Sequence, residues 1–139
     1  MTRPNGFSLL ELVVVMVLAG ILAAVAIPRF TNSESKASWY SEQVKAALRY
    51  AQRQAVAQRR SVYVCVAPTS VTLAYVSGCA TSLLVQPGST VPYSLPAPSD
   101  VALSASTFSF DSLGRPSSVP ALNVAGHSIT VEAETGYVH

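Results

Sequence analysis

An α+β fold is predicted for this 139-residue chain: a long N-terminal helix, transmembrane in its first half, packed on an antiparallel β-sheet domain. Three observations predict it. Residues 7–27 form an apolar run interrupted only by Ser8, Glu11 and small residues. Beyond Pro28 the apolar positions take up the helical period, and beyond Arg60 they take up the period of strands. The chain therefore divides into a polar leader (1–6), an apolar helix (7–28), an amphipathic helix (29–60) and a β-rich C-terminal domain (61–139).

Composition bounds the classes of function. Half the residues are hydrophobic and 12% are charged, which is too apolar for a disordered chain, and the excess sits in the N-terminal run. With that run set aside, about 110 residues remain, enough for one compact domain. A net charge of +2 is too small to announce a nucleic-acid-binding protein, which usually shows a concentrated basic surface. Cys65 and Cys79 lie 14 positions apart, and with an export-like N-terminus they read as one disulfide formed in an oxidising compartment. A loop of about 15 residues closed in this way stabilises a domain by about 3 kcal/mol in the chain-entropy model. Two cysteines with His127 and His139 are too few ligands for a metal site.

The leader Met1-Thr2-Arg3-Pro4-Asn5-Gly6 has the wrong shape for an ordinary signal peptide, because its small residue precedes the apolar run instead of following it. Cleavage there keeps the anchor. The 21 residues of the run reach about 30 Å as a helix, the thickness of a hydrocarbon core. An isolated carboxylate such as Glu11 inside that helix costs about 2.5–3.5 kcal/mol and calls for a function and a partner. Arg3 favours a cytoplasmic leader and a C-terminal domain on the far side of the membrane.

Gly6-Phe7-Ser8-Leu9-Leu10-Glu11 resembles the class III signal of type IV pilins and type II secretion pseudopilins. The resemblance implies the type IV pilin fold, cleavage between Gly6 and Phe7 by a prepilin peptidase, and N-methylation of Phe7. It also implies that Glu11 pairs with the N-terminal amine of a neighbouring subunit during assembly. Opposite charges tolerate hydrocarbon better together than apart, so such a pair sets axial register. Pro28 stands where these proteins usually carry a helix-kinking proline. The alternative is an unprocessed single-pass anchor in which Glu11 lies near the headgroups and Gly6 is incidental.

In the amphipathic segment, Val44, Leu48, Ala51 and Ala55 recur at helical spacing, Ala47 widens the stripe, and Glu42, Lys45, Arg49, Gln52 and Arg53 fall elsewhere. The helix is expected to reach about Arg60. Asn32, Ser33 and Ser35 loosen its start, so a bend or brief unwinding is expected between Pro28 and Ser38. Trp39 and Tyr40 read either as membrane-interface or subunit-contact residues or as core. Arg49, Arg53 and Arg60 lie near one face, with Arg59 beside them. This basic ridge is either a solvated face favoured by the negative end of the helix dipole or a phosphate-binding surface.

Residues 61–66 and 71–76 alternate as strands around Ala67-Pro68-Thr69-Ser70, a hairpin. Further short strands are expected at 82–85, 107–110, 122–124 and 128–133, broken by turns at Pro87, Pro92, Pro96, Pro98, Pro116 and Pro120. The run Ala46-Ala47-Leu48-Arg49-Tyr50-Ala51-Gln52-Arg53-Gln54-Ala55, then Arg59-Arg60 and residues 61–66, resembles the GspH/FimT branch of minor pilins and pseudopilins. So does Phe108-Ser109-Phe110-Asp111 leading to Gly114-Arg115-Pro116. Within that branch, Ile27-Pro28-Arg29-Phe30 and the ending Glu134-Thr135-Gly136-Tyr137-Val138-His139 look most like the minor pilins of mannose-sensitive haemagglutinin (MSHA) pili.

These resemblances imply a minor pilin in the bacterial inner membrane, with its C-terminal domain periplasmic until it joins a pilus at the cell surface. Its implied partners are prepilin peptidase, the inner membrane and other major and minor pilins. A type II secretion pseudopilin is the first alternative. A DNA-binding pilin is the second, since some relatives use a Gly-Arg-x-Arg loop. Here the loop is Gly114-Arg115-Pro116-Ser117, and the absent second arginine leaves Arg115 mainly structural, with Arg49, Arg53 and Arg60 as the other candidate anion-binding groups. No nucleophile elbow, metal-ligand spacing or phosphate loop is present, so no catalytic residue and no cofactor are expected.

Overall fold

The computed structural model describes residues 8–26 and 33–139. Arg3, Gly6, Phe7, Pro28 and Asn32, to which the sequence assigns a leader charge, the cleavage pair, the kink and part of the helix start, lie outside the described residues, as does the whole Ile27-Pro28-Arg29-Phe30 junction. The chain divides into two compact units, Met1–Ser35 and Lys36–His139.

In the first unit, helix α1 spans Leu9–Ala26 and carries Glu11 in its first turn. Its large apolar side chains from Leu9 to Leu22 are all 46–81% exposed, on every side of the helix. Among the described residues no helix is long and apolar enough to cross a membrane. The 18 residues of α1 measure about 27 Å, and the ends of the expected 21-residue run, Phe7 and Ile27, are outside the described residues.

Helix α2 spans Ser33–Gln58. The unwinding expected as far as Ser38 is not found from Ser33 onward. Serines weaken helices by bonding locally, yet here Ala37, Tyr40 and Ser41 are buried in the first turns, and Ser41 Oγ donates back to the Ser38 carbonyl at 2.7 Å. Burial outweighs propensity. The helix stops two residues short of Arg60 because Arg59 turns left-handed, with φ 52°. Arg59 N then donates to Val56 O at 3.2 Å and Arg60 N to Ala55 O at 3.1 Å, a Schellman cap built without glycine.

Strands β1 (Val62–Ala67), β2 (Ser70–Ala74), β3 (Ser94–Pro96) and β4 (Ser106–Phe110) form one antiparallel sheet in the order β3-β2-β1-β4. The β1–β2 hairpin is tighter than expected, with only Pro68 and Thr69 between the strands, and β2 ends at Ala74, not 76. Residues 82–85 were expected as a strand but make only single bridges, Ala74 with Leu83 and Val85 with Pro92. A left-handed Ser82 (φ 51°) at one end and a partner proline without an N–H at the other prevent a ladder. The third strand is instead β3, in a segment whose prolines read as turns. Pro96 is tolerated there because β3 is an edge strand.

Strands β5 (Leu122–Val124) and β6 (His127–Ile129) form a separate hairpin. Ala125 (φ 46°) and Gly126 (φ 96°) both lie in the left-handed region, the geometry of a type I′ turn, and Asn123 Oδ1 accepts the Gly126 amide at 2.7 Å. The strand expected at 128–133 thus begins one residue earlier and ends at Ile129. Beyond it, residues 130–132 pair with 137–139 through the Val131–Val138 bridge.

The core of the second unit forms where α2 meets the sheet. The stripe Val44, Ala47, Leu48, Ala51 and Ala55 is fully buried, as the helical spacing predicted, and alternate residues Val62, Val64, Val71, Leu73, Phe108 and Phe110 face it. Tyr40 is fully buried while its neighbour Trp39 is 61% exposed, so the two aromatics part, one to core and one to surface. Tyr40 Oη donates to the Leu95 carbonyl at 3.0 Å, tying α2 to β3. Burial pushes its phenol up to about 12, so it stays neutral in any physiological medium.

Replacing Leu48 by Ala should lower the unfolding free energy by about 2–5 kcal/mol in a urea titration, because the site is sealed by α2 and the sheet. Val56→Ala, at an exposed position of the same helix, should stay within about 0.5 kcal/mol of the parent.

Candidate functional site

Three sets of residues carry the functional expectations. The first is the head of α1. Glu11 stands exposed in the first turn of a helix that is otherwise aliphatic, and the Leu12 amide donates to Ser8 O at 3.2 Å to start the ladder. Its expected partner amine belongs to Phe7, outside the described residues.

The second set is the cysteine pair. Cys65 and Cys79 are bonded, with Cα atoms 6.2 Å apart, so both cysteines of the sequence are used. Cys65 lies on β1 opposite Thr72, and Cys79 on the segment that follows β2.

The third set is the arginines. Arg49 Nη2 donates to the Val138 carbonyl at 3.0 Å, and Arg53 Nε donates to the Arg49 carbonyl at 3.2 Å. Arg60 sits with its guanidinium 4.0 Å above the Tyr75 ring. Arg115 Nε lies 3.7 Å from Asp111 Oδ2. The structure brings Arg49 and Arg53 together one turn apart. The ridge expected from the spacing does not extend to Arg60, because the chain has left the helix at Arg59 and Tyr75 draws the guanidinium towards β2.

What the sequence did not signal is how firmly the Gly-Arg turn is held. Asp111 N donates to Arg115 O and Gly114 N to Asp111 O, both at 2.9 Å. Asp111 Oδ1 accepts the amides of Leu113 at 2.9 Å and Arg115 at 2.8 Å. The Arg115 amide first, then the amides of Leu113 and Gly114 and the Arg115 guanidinium, hold the Asp111 carboxyl below the usual carboxylate range. Gln52 Nε2, from α2, donates to Gly114 O at 3.1 Å and to Thr135 O at 2.7 Å, clasping this turn to the turn at 132–137. The two backbones touch: a Cβ on Gly136 (φ 66°) would collide with the Gly114 carbonyl. Leu113 (67% exposed) precedes Gly114 and Tyr137 (60%) follows Gly136 in the chain, and Tyr137 stacks on His139 at 5.6 Å. A Gly at 114 followed by Arg-Pro was legible as a turn. The clasp by Gln52 was not, since a glutamine on the polar side of a helix carries no local mark.

Among the described residues there are surface cavities partly open to solvent. One of about 270 Å³ is lined by Val119, Pro120, Leu122 and Ile129, and another of about 330 Å³ by Pro68, Pro98, Asp100 and Val101. Among the described residues no cluster of three His, Cys, Asp or Glu side chains is placed to hold a metal ion.

Two outcomes follow from the clasp. Gly136→Ala should cost about 2–4 kcal/mol in denaturant unfolding, since it adds both a strained φ and a backbone collision. The folded pKa of Asp111 lies below its unfolded value near 4, so its contribution to stability is present above about pH 4 and is lost as pH falls through the lowered folded pKa. Asp111→Asn should accordingly flatten the acid limb of a stability–pH curve below about pH 4.

Two family models match the chain. Residues 1–27 match the prokaryotic N-terminal methylation motif, and residues 41–136 match the model of the type II transport protein GspH. A type IV narrow pilus major component of Thermus thermophilus, PilA5, is 38% identical over 64 residues, covering 45% of this chain and 55% of the relative. The chain thus spans about half the length of the curated relative it matches. No solved structure matches. The GspH match extends over more than half of the sequence, and with the methylation motif ahead of it the chain belongs to the GspH family of type IV pilins and pseudopilins.

Proposed function

We propose that this chain is a minor type IV pilin, cleaved between Gly6 and Phe7 and N-methylated on Phe7 by prepilin peptidase, that takes part in pilus initiation and assembly. One observation carries the reading. Helix α1 leaves every large aliphatic side chain from Leu9 to Leu22 exposed and bears a single carboxylate, Glu11. Such a helix is stable only in hydrocarbon or against other apolar helices. Glu11 in either place needs a cation, and cleavage after Gly6 creates one, the amine of Phe7, which a neighbouring subunit offers when helices stack.

In this reading the helix anchors the subunit in the inner membrane, with the α2–sheet unit in the periplasm, and is later withdrawn into the filament. Other major and minor pilins are its partners. The Ile27-Pro28-Arg29-Phe30 junction and the Glu134–His139 ending support a pilus of the MSHA type, with a role in adhesion. A type II secretion pseudopilin is the second reading, favoured by the description of the family whose model covers residues 41–136. DNA uptake has less support: Arg115 shares its turn with the Asp111 carboxylate, and Ser117 stands where a second arginine would be needed.

Gly6→Ala should leave a longer, unmethylated precursor in the membrane, seen as a mass increase corresponding to residues 1–6 less the methyl group. Glu11→Ala should be processed normally but be depleted from sheared filaments. Normal incorporation of the Glu11 variant would overturn the charge-pair account, and a parent chain found uncleaved in the membrane would favour the single-pass anchor.

A further inference from the structure

The four-stranded sheet buries one face against α2, and its other face carries Tyr63 and Cys65 on β1 with Thr72 on β2 and Thr107 and Ser109 on β4. Cys65 leaves the sheet on this second side, because its neighbours Val64 and Val66 point into the core. The bond to Cys79 therefore draws residues 76–82 over the outer face. Cys79 Sγ lies 3.8 Å from the Thr72 carbonyl oxygen and 3.9 Å from that of Tyr63.

Little else holds the segment there. Cys79 is half-buried, and the other residues of 76–82 are exposed. None of its side chains belongs to the core cluster. Among the described residues, its one backbone hydrogen bond runs from Tyr75 N, just past the end of β2, to Ser82 O at 2.9 Å. The backbone is also unfavourable. Gly78 (φ 83°), Cys79 (φ 51°) and Ser82 (φ 51°) are left-handed, and for the two that carry a Cβ this region is disfavoured.

We propose that residues 76–82 form a redox-held strap. The Cys65–Cys79 bond keeps this segment in a conformation that it does not hold alone. Reduction releases it, uncovering Cys65, Thr72 and Tyr63 while the core between α2 and the sheet stays folded. The reductant is a dithiol, either small or carried by a thioredoxin-like protein. Two electrons and two protons pass to the S–S bond, leaving thiols on Cys65 and Cys79 and a disulfide on the dithiol. The core survives because its contacts lie on the opposite face of the sheet and none involves the strap. The strap opens because a disfavoured backbone and one hydrogen bond remain to close it.

The test compares the full chain in detergent micelles in three forms: oxidised, reduced with dithiothreitol, and the Cys65→Ser/Cys79→Ser variant. Each is exposed briefly to subtilisin, which has no disulfide of its own, and the cut sites are read by mass spectrometry alongside a thermal unfolding curve. Cleavage within 76–83 should rise about tenfold in the reduced and variant forms, with α2 and β1–β4 uncut and unfolding still cooperative. An unchanged cleavage rate would overturn the proposal, because the strap would then close itself. Cuts spreading through β1 and β4 with loss of the cooperative transition would overturn it equally, because the bond would then hold the whole domain.

Discussion

The burial of one narrow stripe of α2 against the valine face of the sheet is the contact on which the rest of the second unit depends. The stripe alternates small and large residues: Ala37, Ala47, Ala51 and Ala55 bring the helix close, and Tyr40, Val44 and Leu48 fill the space between Val62, Val64, Val71, Leu73, Phe108 and Phe110. The otherwise polar helix has little other reason to run to 26 residues, because helical stability in proteins comes mainly from packing an apolar face. Once α2 is seated, its flanking polar positions fall over the loops of the domain. Arg49 reaches Val138, Gln52 reaches Gly114 and Thr135, and Tyr50 Oη reaches Val85. Loops that would otherwise have only their own turns to hold them are fastened to one rigid element.

Much of this was legible because it rests on periodicity. The five stripe positions named from spacing are all buried, and β1, β2, β4 and β5 lie within about a residue or two of where alternation put them. What was not legible lies where a single backbone event overrides the pattern. Left-handed Ser82 dissolves an expected strand, left-handed Arg59 ends the helix early, and Pro96 conceals an edge strand among turn-like prolines. The arginine ridge failed for the same reason. Spacing places Cα atoms on a cylinder, but Arg60 is past the cylinder's end and finds Tyr75 instead. The junction at Gly114 and Gly136 is a contact between residues 22 apart that neither turn announces, and it becomes visible only through the collision a Cβ would meet there.

The cysteine pair shows a different limit. Its pairing followed from there being only two cysteines, and the structure contains that bond. Its placement did not follow. The bond is not threaded through the core, as a staple for a small domain would be, but stands on the outer face and fastens a segment that contributes nothing to the core. The two units also divide labour in physical terms. The second buries a core between α2 and the sheet, whereas α1 leaves its aliphatic side chains open, the kind of surface that lipid or other helices cover. A chain with one unit that has a core of its own and one that has none suits the proposed subunit, built first into a membrane and then into a filament.

The measurement that tests this account most directly is the intact mass of the chain recovered from filaments sheared off the cell surface. The account predicts a chain that begins at Phe7, one methyl group heavier than the bare sequence, lighter by two hydrogens for the Cys65–Cys79 bond, and present in the filament fraction. A chain that retains residues 1–6, or one confined to the membrane fraction while filaments form normally without it, would contradict the claim that this is an assembled pilin subunit.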